Sequence, residues 1–257
     1  MSGERTLIII FSPLVRTLNR RTASHSASSM AVPVRCRSRS GRVMLGGSEV
    51  ARMPRRERAR LIALLPQREE SIPDMTALDM MLLGRTPHLP LLAQERPQDR
   101  DLAMAAMERT GVAPLYNRPL NTLSGGELQR VSIARALCQD TPVLLLDEPV
   151  ASLDIGQQAA VMELLSQLTR EQNLCVACVL HDLNLATHFA DHVVLLSCGV
   201  LLKAGGPEAV LTEELLLSAY GVRVHRLSSG EQFALTPDFG KAHTSGGQWM
   251  EAHRKSS

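Results

Sequence analysis

Lysine is almost missing from this chain of 257 residues. Only Lys203, Lys241 and Lys255 occur, so no lysine-dependent chemistry can lie in the long stretch before Lys203. A codon bias toward arginine accounts for the ratio without removing that consequence. Aromatic residues are scarce as well, at 3%. No apolar run approaches the roughly 18 residues of a membrane span. The strong runs, such as residues 7–11 and 143–146, are far shorter, so any membrane role has to come through a partner. The five cysteines (Cys36, Cys138, Cys175, Cys178, Cys198) are odd in number and lie in apolar or helical surroundings. They do not form the short-spaced framework of a disulfide scaffold, which points to a reducing, cytoplasmic compartment. A formal net charge of +2 gives no overall basic field, and nucleic acid is not expected as a partner. At 44% hydrophobic residues, the chain reads as one soluble α/β domain or a domain with a subdomain.

The N-terminal part lacks two further things. Residues 5–48 contain no acid, and Gly3 is followed by no glycine until Gly41, while arginine and serine accumulate. Such a stretch offers a core little to bury, and its composition is also that of an organelle transit peptide. Beyond Gly41 short strand-like runs alternate with amphipathic helices, the pattern of an α/β fold with a parallel sheet. The expected strands are residues 42–45, 62–65, 142–146, 174–180, 192–196 and 200–203. The 142–146 and 174–180 runs are apolar throughout, as strands covered on both faces are. Residues 77–137 read as mainly helical, most clearly over 101–109 and 127–137, which makes a helical insertion within a sheet domain. There is no internal repeat and no heptad run long enough for a coiled coil.

Two short segments carry chemistry. In VLLLDEP (residues 143–149) two adjacent carboxylates stand at the C-terminal end of a buried strand, where ligands of open α/β sheets bind. Asp147 there suits a Mg²⁺ ion held through water, and Glu148 suits a general base for a nucleophilic water. By itself the pair reads equally well as two solvated acids. LSGGELQR (residues 123–130) is more specific. Ser124 can cap a helix starting near Glu127, and Gly125 and Gly126 let a phosphate approach bare backbone N–H groups at its positive end.

At these residues the sequence resembles the ATP-binding subunit of ABC transporters, with LSGGE as the signature and VLLLDEP as the Walker B strand. The resemblance runs from about Gly41 to about Arg226. It extends to Gln67 in ALLPQ as the Q-loop glutamine, to Ala151, Ser152, Leu153 and Asp154 as the D-loop, and to His181 in VLHDLN as the switch histidine. It implies a P-loop NTPase-like core with a helical subdomain over about 70–138, binding ATP and Mg²⁺ and working as a head-to-tail dimer. In that arrangement Ser124, Gly125, Gly126 and Glu127 meet the nucleotide held by the partner subunit. His181 contacts the γ-phosphate on its own side, and Gln67 senses Mg²⁺ or the attacking water while linking to the permease. Asp154 ties the two subunits together. These are positioning and charge-stabilising roles, which is most of what phosphoryl transfer asks of a protein. Residues 82–91, 181–191 and 211–224 look like the ATPases of importers for iron chelates, haem or cobalamin. Those work beneath transmembrane permeases at the cytoplasmic face of the inner membrane, supplied by a substrate-binding protein.

One part of the family pattern is missing. The phosphate loop G-x-x-x-x-G-K-[ST] should stand some tens of residues before Gln67, inside the stretch that lacks lysine and glycine. Arg20, Arg21 and Arg37 offer charge there, but not a tight glycine turn, and the arginine fork needs space such a loop does not give. Two accounts compete. Either residues 1–40 come from a shifted reading frame or faulty gene start joined to a normal ATPase, or the chain is a degenerate partner that has lost ATP binding and serves as a silent interaction protein. A non-transport relative in DNA repair or translation is disfavoured, since no long coiled coil and no second such domain is seen.

Three weaker signals are set aside. Cys175 and Cys178 form C-x-x-C, but residues three apart on a strand face opposite sides, so buried thiols are expected. His181, His188 and His192 are spaced as metal ligands, yet the nucleotide claims the first. The basic run 52–60 reads as an exposed helix beginning after Pro54. Residues 227–257 read as a polar, loosely packed tail.

Overall fold

The computed structural model describes residues 5–11, 42–67, 72–90, 94–197, 200–229 and 232–238. Arg20, Arg21, Arg37, Gly41, Cys36 and Cys198 lie outside them. Three consecutive isoleucines give residues 5–11 strong β-propensity, and a strand forms there, β1 (Arg5–Phe11). This strand is an addition to the sequence reading, which treats residues 1–40 as material of little use to a core and weighs 7–11 only as too short to span a membrane.

The chain divides into two compact units, residues 9–180 and residues 1–8 with 181–257. In the larger unit β2 (Met44–Leu45) and β3 (Ser48–Glu49) make a tight antiparallel hairpin. Its two loop residues, Gly46 and Gly47, take φ of +55° and +83°, which only glycine adopts freely. The expected strand 42–45 is thus shortened to two residues by its own turn. Pro54 stands at the N-cap of α1 (Arg55–Leu61), as its preset φ and missing N–H favour. The helix passes directly into β4 (Ile62–Leu65).

Three helices follow: α2 (Ala77–Arg85), α3 (Pro97–Arg109) and α4 (Gly125–Cys138). They close around Met80, Met81, Met107, Leu120 and Val131, all buried. Each large side chain removed from water in this way stabilises by about 1.5–3 kcal/mol. At Gly84 a Cβ would lie 2.7 Å from the carbonyl oxygen of Arg135, so α2 and α4 approach more closely than any side chain there allows. A buried ion pair locks the bundle: Arg85 Nε donates to Asp99 Oδ1 (3.1 Å), the side chains being 7% and 8% exposed. Burial works against the ionised Asp99. The Arg96 backbone N–H and the Arg85 guanidinium outweigh it and hold the carboxyl below its ordinary value.

The helical segment returns the chain to β5 (Val143–Asp147), which lies between β4 and a third strand, β6 (Cys175–Leu180), all parallel. The crossover is α5 (Ile155–Gln172), ending at Asn173 in the left-handed region, φ +52°. Leu144, Leu146, Val176 and Cys178 from the sheet and Met162 and Leu165 from α5 are buried. Cys175 remains half-buried while Cys178 is enclosed, and burial pushes the Cys178 thiol up to about 12.

The smaller unit contains α6 (Leu183–Phe189), the antiparallel pair β7 (His192–Ser197) and β8 (Val200–Gly205), α7 (Pro207–Val210) and α8 (Glu213–Tyr220). It ends in an antiparallel hairpin, β9 (Val224–Ser229) and β10 (Gln232–Pro237). That hairpin corrects the expectation of a loose tail for its described part, up to residue 238, while residues 239–257 lie outside the described residues. Phe233 and Leu235 are buried, and the Asn184 side chain both donates to the Leu235 carbonyl (3.1 Å) and accepts its N–H (2.8 Å). The available signal was Phe233 and Leu235, two residues apart and so on one face of a strand, and the surrounding polar composition hid it. Among the described residues, no helix is long and apolar enough to cross a membrane.

Candidate functional site

The C-terminal edge of the parallel strands is where chemistry-bearing residues gather. Leu65 pairs with Leu146, so Gln67, two residues beyond β4, and Glu148, two beyond Leu146, leave adjacent strands at the same edge. Gln67 is exposed; Asp147 and Glu148 are half-buried. Glu148 has φ of +50°, and its N–H donates to the Val179 carbonyl of β6 (3.1 Å). Asp140 and Asn173 also have positive φ, but each is a short polar residue just past a helix end, where that conformation is common. Glutamate at a strand exit has no such excuse. Backbone strain of this kind persists where the surroundings impose it, and it clusters at functional turns.

The turn after Glu148 is held by side-chain amides. Gln158 Nε2 donates to the carbonyls of Val150 (3.2 Å) and Leu153 (3.0 Å), and Gln129 Nε2, from α4, donates to that of Pro149 (2.9 Å). Asp154 then caps α5, its Oδ1 accepting the Gln157 N–H at 2.9 Å. Its side chain is exposed, and beside it Ile155 is 86% exposed.

At the start of α4 the signature segment forms a complete capping box. Ser124 Oγ accepts the Glu127 N–H (3.2 Å), and Glu127 Oε2 accepts the Ser124 N–H (2.8 Å). Arg118 donates to Glu127 Oε1 at 3.2 Å. The backbone N–H of Ser124, followed by its hydroxyl and the nearby arginines, holds the Glu127 carboxyl below its ordinary value. One oxygen of Glu127 is therefore committed to the cap and the other to Arg118, and the residue serves by fixing the helix start. The Ser124 hydroxyl lies against the Glu127 carboxylate as well as capping the helix, so donation to a ligand would require its hydrogen to turn away from that carboxylate. The N–H groups of Gly125 and Gly126, at the first two helical positions, have no partner within the helix. A Cβ on Gly125 would meet nothing within 4 Å, so this backbone is open to approach. On Gly126 it would lie 2.8 Å from Gln157 Oε1 and 3.4 Å from Leu153 Cδ2. The signature glycines and the 149–157 turn are thus packed together within one unit.

His181 is the first residue after β6 and is exposed. The next residue, Asp182, caps α6, its Oδ1 accepting the N–H groups of Asn184 (2.8 Å) and Leu185 (3.2 Å). The bracing glutamines Gln129, Gln157 and Gln158, and Arg118, were not foreseen from the sequence. Their partners are main-chain carbonyls, a glycine and a cap, which carry no residue-type signal.

Comparison with known proteins identifies the family. The ABC transporter family profile matches residues 28–151. The ferric enterobactin transport ATP-binding protein of Escherichia coli (strain K12) is 38% identical over 213 residues, covering 82% of this chain and 73% of that protein. The hemin import ATP-binding protein of Gloeobacter violaceus is 43% identical over 190 residues, 71% of this chain and 68% of the relative. Among solved structures, an inward-facing metal-chelate type ABC transporter superimposes with a TM-score of 0.63 at 30% identity, covering 70% of this chain and 72% of that one. With a capped, glycine-opened helix start braced against the turn of an Asp-Glu strand exit, and relatives of this similarity and coverage, the chain belongs to the ATP-binding subunits of the ABC transporter family.

Proposed function

We propose that this chain serves an importer of an iron chelate, haem or cobalamin as its ATP-binding subunit, working at the cytoplasmic face of the inner membrane beneath a separate permease fed by a substrate-binding protein. The names of the ferric enterobactin and hemin relatives support the substrate class. The observation that carries the reading is the open N-terminus of α4 beside the strained Glu148 turn.

In this reading two copies meet head to tail. Ser124 donates its hydroxyl, and Gly125 and Gly126 their N–H groups, to the γ-phosphate of ATP on the other copy, with Glu127 holding that cradle in shape. Preorganised donors aimed at developing phosphate charge are the main catalytic resource in such a reaction. Glu148, turned out of the sheet, accepts the proton of the attacking water, and His181 steadies the γ-phosphate on its own side. Asp147, through water, and Gln67 would hold Mg²⁺, which when bound neutralises phosphate charge. Asp154 lies on the exposed turn that faces the second subunit, and Gln67 links the site to the permease.

The missing phosphate loop limits this chain's own turnover. The long lysine-free stretch supports a second reading, a catalytically silent subunit that docks on a permease or on a normal ATPase subunit. Removal of one preorganised donor costs about a hundredfold or more in rate, and here several are missing together. The purified chain is expected to bind MgATP weakly and to hydrolyse it little. Micromolar affinity with steady turnover overturns that expectation. Gel filtration of Glu148→Gln with and without MgATP separates the two readings, since only a nucleotide-competent subunit dimerises in response. Sequencing codons 1 to 45 in all frames decides whether a Gly-Lys-Ser or Gly-Lys-Thr loop lies in a neighbouring frame.

A further inference from the structure

The C-terminal end of α4 carries a junction that the reading above does not use. Gln139, its C-cap, donates through Nε2 to two carbonyls, those of Ala59 in α1 (2.6 Å) and of Ile62 at the entrance to β4 (3.0 Å). Its own carbonyl meets His88 Nε2 at 2.7 Å, in the turn that ends α2. That turn is grasped from the other side by α1, where Arg60 Nε and Arg56 Nε donate to the Pro87 carbonyl (2.8 and 3.1 Å) and Arg56 Nη2 to that of Leu89. One residue earlier, Arg85 Nη1 donates to the Cys138 carbonyl (2.8 Å). The basic run 52–60, an exposed face in the sequence, is partly engaged in this knot.

The consequence follows from rigidity. Ser124 begins a 14-residue helix that ends at this junction, and Gln67 lies two residues past a strand that starts at it. The signature segment and the Q-loop thus hang from a common point, and one part-buried amide bridges them. Helix caps normally satisfy carbonyls of their own helix, whereas both acceptors of Gln139 belong to other elements. We infer that Gln139 is a positioning residue that sets the spacing between the Q-loop and the signature segment, so that a displacement at Gln67 is carried to Ser124, Gly125 and Gly126. The inference rests on the functional reading for the roles of those residues, but the spacing itself can be measured without nucleotide.

The test uses the full chain with Cys36, Cys175 and Cys198 replaced by serine. Cys138 and Cys178 stay, being buried with thiols pushed up to about 11 and about 12 by burial and therefore slow to label. Spin labels at Gln67→Cys and Asn121→Cys report the spacing by pulsed dipolar spectroscopy, and labels at Glu108→Cys and Asn121→Cys report the helical bundle alone. Gln139→Leu, which keeps the bulk and removes the donor, is expected to broaden or split the first distribution and leave the second unchanged. Two narrow distributions overturn the inference, and so does equal broadening of both, which marks a general loss of packing. Neither result touches the transport reading, whose own failure shows in nucleotide binding and dimerisation.

Discussion

The two ends of α4 are built oppositely. At its N-terminus the first two helical residues are glycines whose N–H groups have no partner among the described residues, and a Cβ on Gly125 would meet nothing within 4 Å. At its C-terminus Cys138 and Gln139 have their carbonyls taken by Arg85 and His88, and the Gln139 side chain reaches two further segments. Every helix leaves four N–H and four C=O groups without partners inside itself. Here side chains take the last two carbonyls at one end, and two donors at the other are left for something else. The contrast separates an anchoring end from a ligand-facing end, and substitutions can test each side of it.

The largest effect is expected at the anchored end. Arg85→Ala removes the partner of a buried carboxylate and a donor to the Cys138 carbonyl together. Breaking a buried pair from one side costs about 3–5 kcal/mol. Urea denaturation should show a loss of that order, and a change below 1 kcal/mol, roughly what an exposed pair contributes, would mean Asp99 finds water or another cation. At the open end the two glycines should differ from each other. Gly126→Ala presses on Gln157 Oε1, a flexible side-chain terminus, and on Leu153 Cδ2. The lower end of the overpacking range, about 1 kcal/mol, is expected. Gly125→Ala meets nothing and should stay within about 0.5 kcal/mol of the parent. Equal melting shifts for the two would erase the distinction between a packed and an approachable glycine. Ser124→Ala deletes the cap acceptor, at a cost of about 1 kcal/mol.

The open end was more legible in the sequence than the anchored one. Ser-Gly-Gly-Glu announces a cap and a bare backbone through residue types that few other uses require, and the structure places all four residues at a helix start. Strands β4, β5 and β6 were also readable, because apolar runs of four to six residues are too short for a buried helix. What escaped was long-range and main-chain directed. Gln139 bonds to carbonyls 80 and 77 residues away, and any residue type supplies a carbonyl. The Glu148 conformation was hidden for a related reason: a positive φ at a non-glycine residue is imposed by neighbours such as Val179 and not by the residue itself. The β9–β10 hairpin escaped because two buried residues, Phe233 and Leu235, stand in a polar segment.

The smallest effect sharpens the account of the open end by pH. The Glu127 carboxyl is held below its ordinary value of 4.5, chiefly by the Ser124 N–H. A group depressed in the folded state contributes stability above its unfolded value, and that contribution disappears as pH falls through the folded value. The cap should therefore be at full strength near neutrality and weaken only in acid below about 4.5. Glu127→Gln keeps an acceptor for the Ser124 N–H but removes the charge, together with the Arg118 pairing and the interaction with the helix dipole. Thermal melting followed from neutral pH downward should show the parent above the variant by a small constant margin, with the two curves converging in acid. Asp79, depressed by the Thr76 hydroxyl and N–H in the capping box of α2, titrates in both proteins and cancels from the difference. Parallel curves through the whole acid range would mean that the carboxylate acts at α4 only through its shape, and that Arg118 and the helix dipole add nothing to the cap.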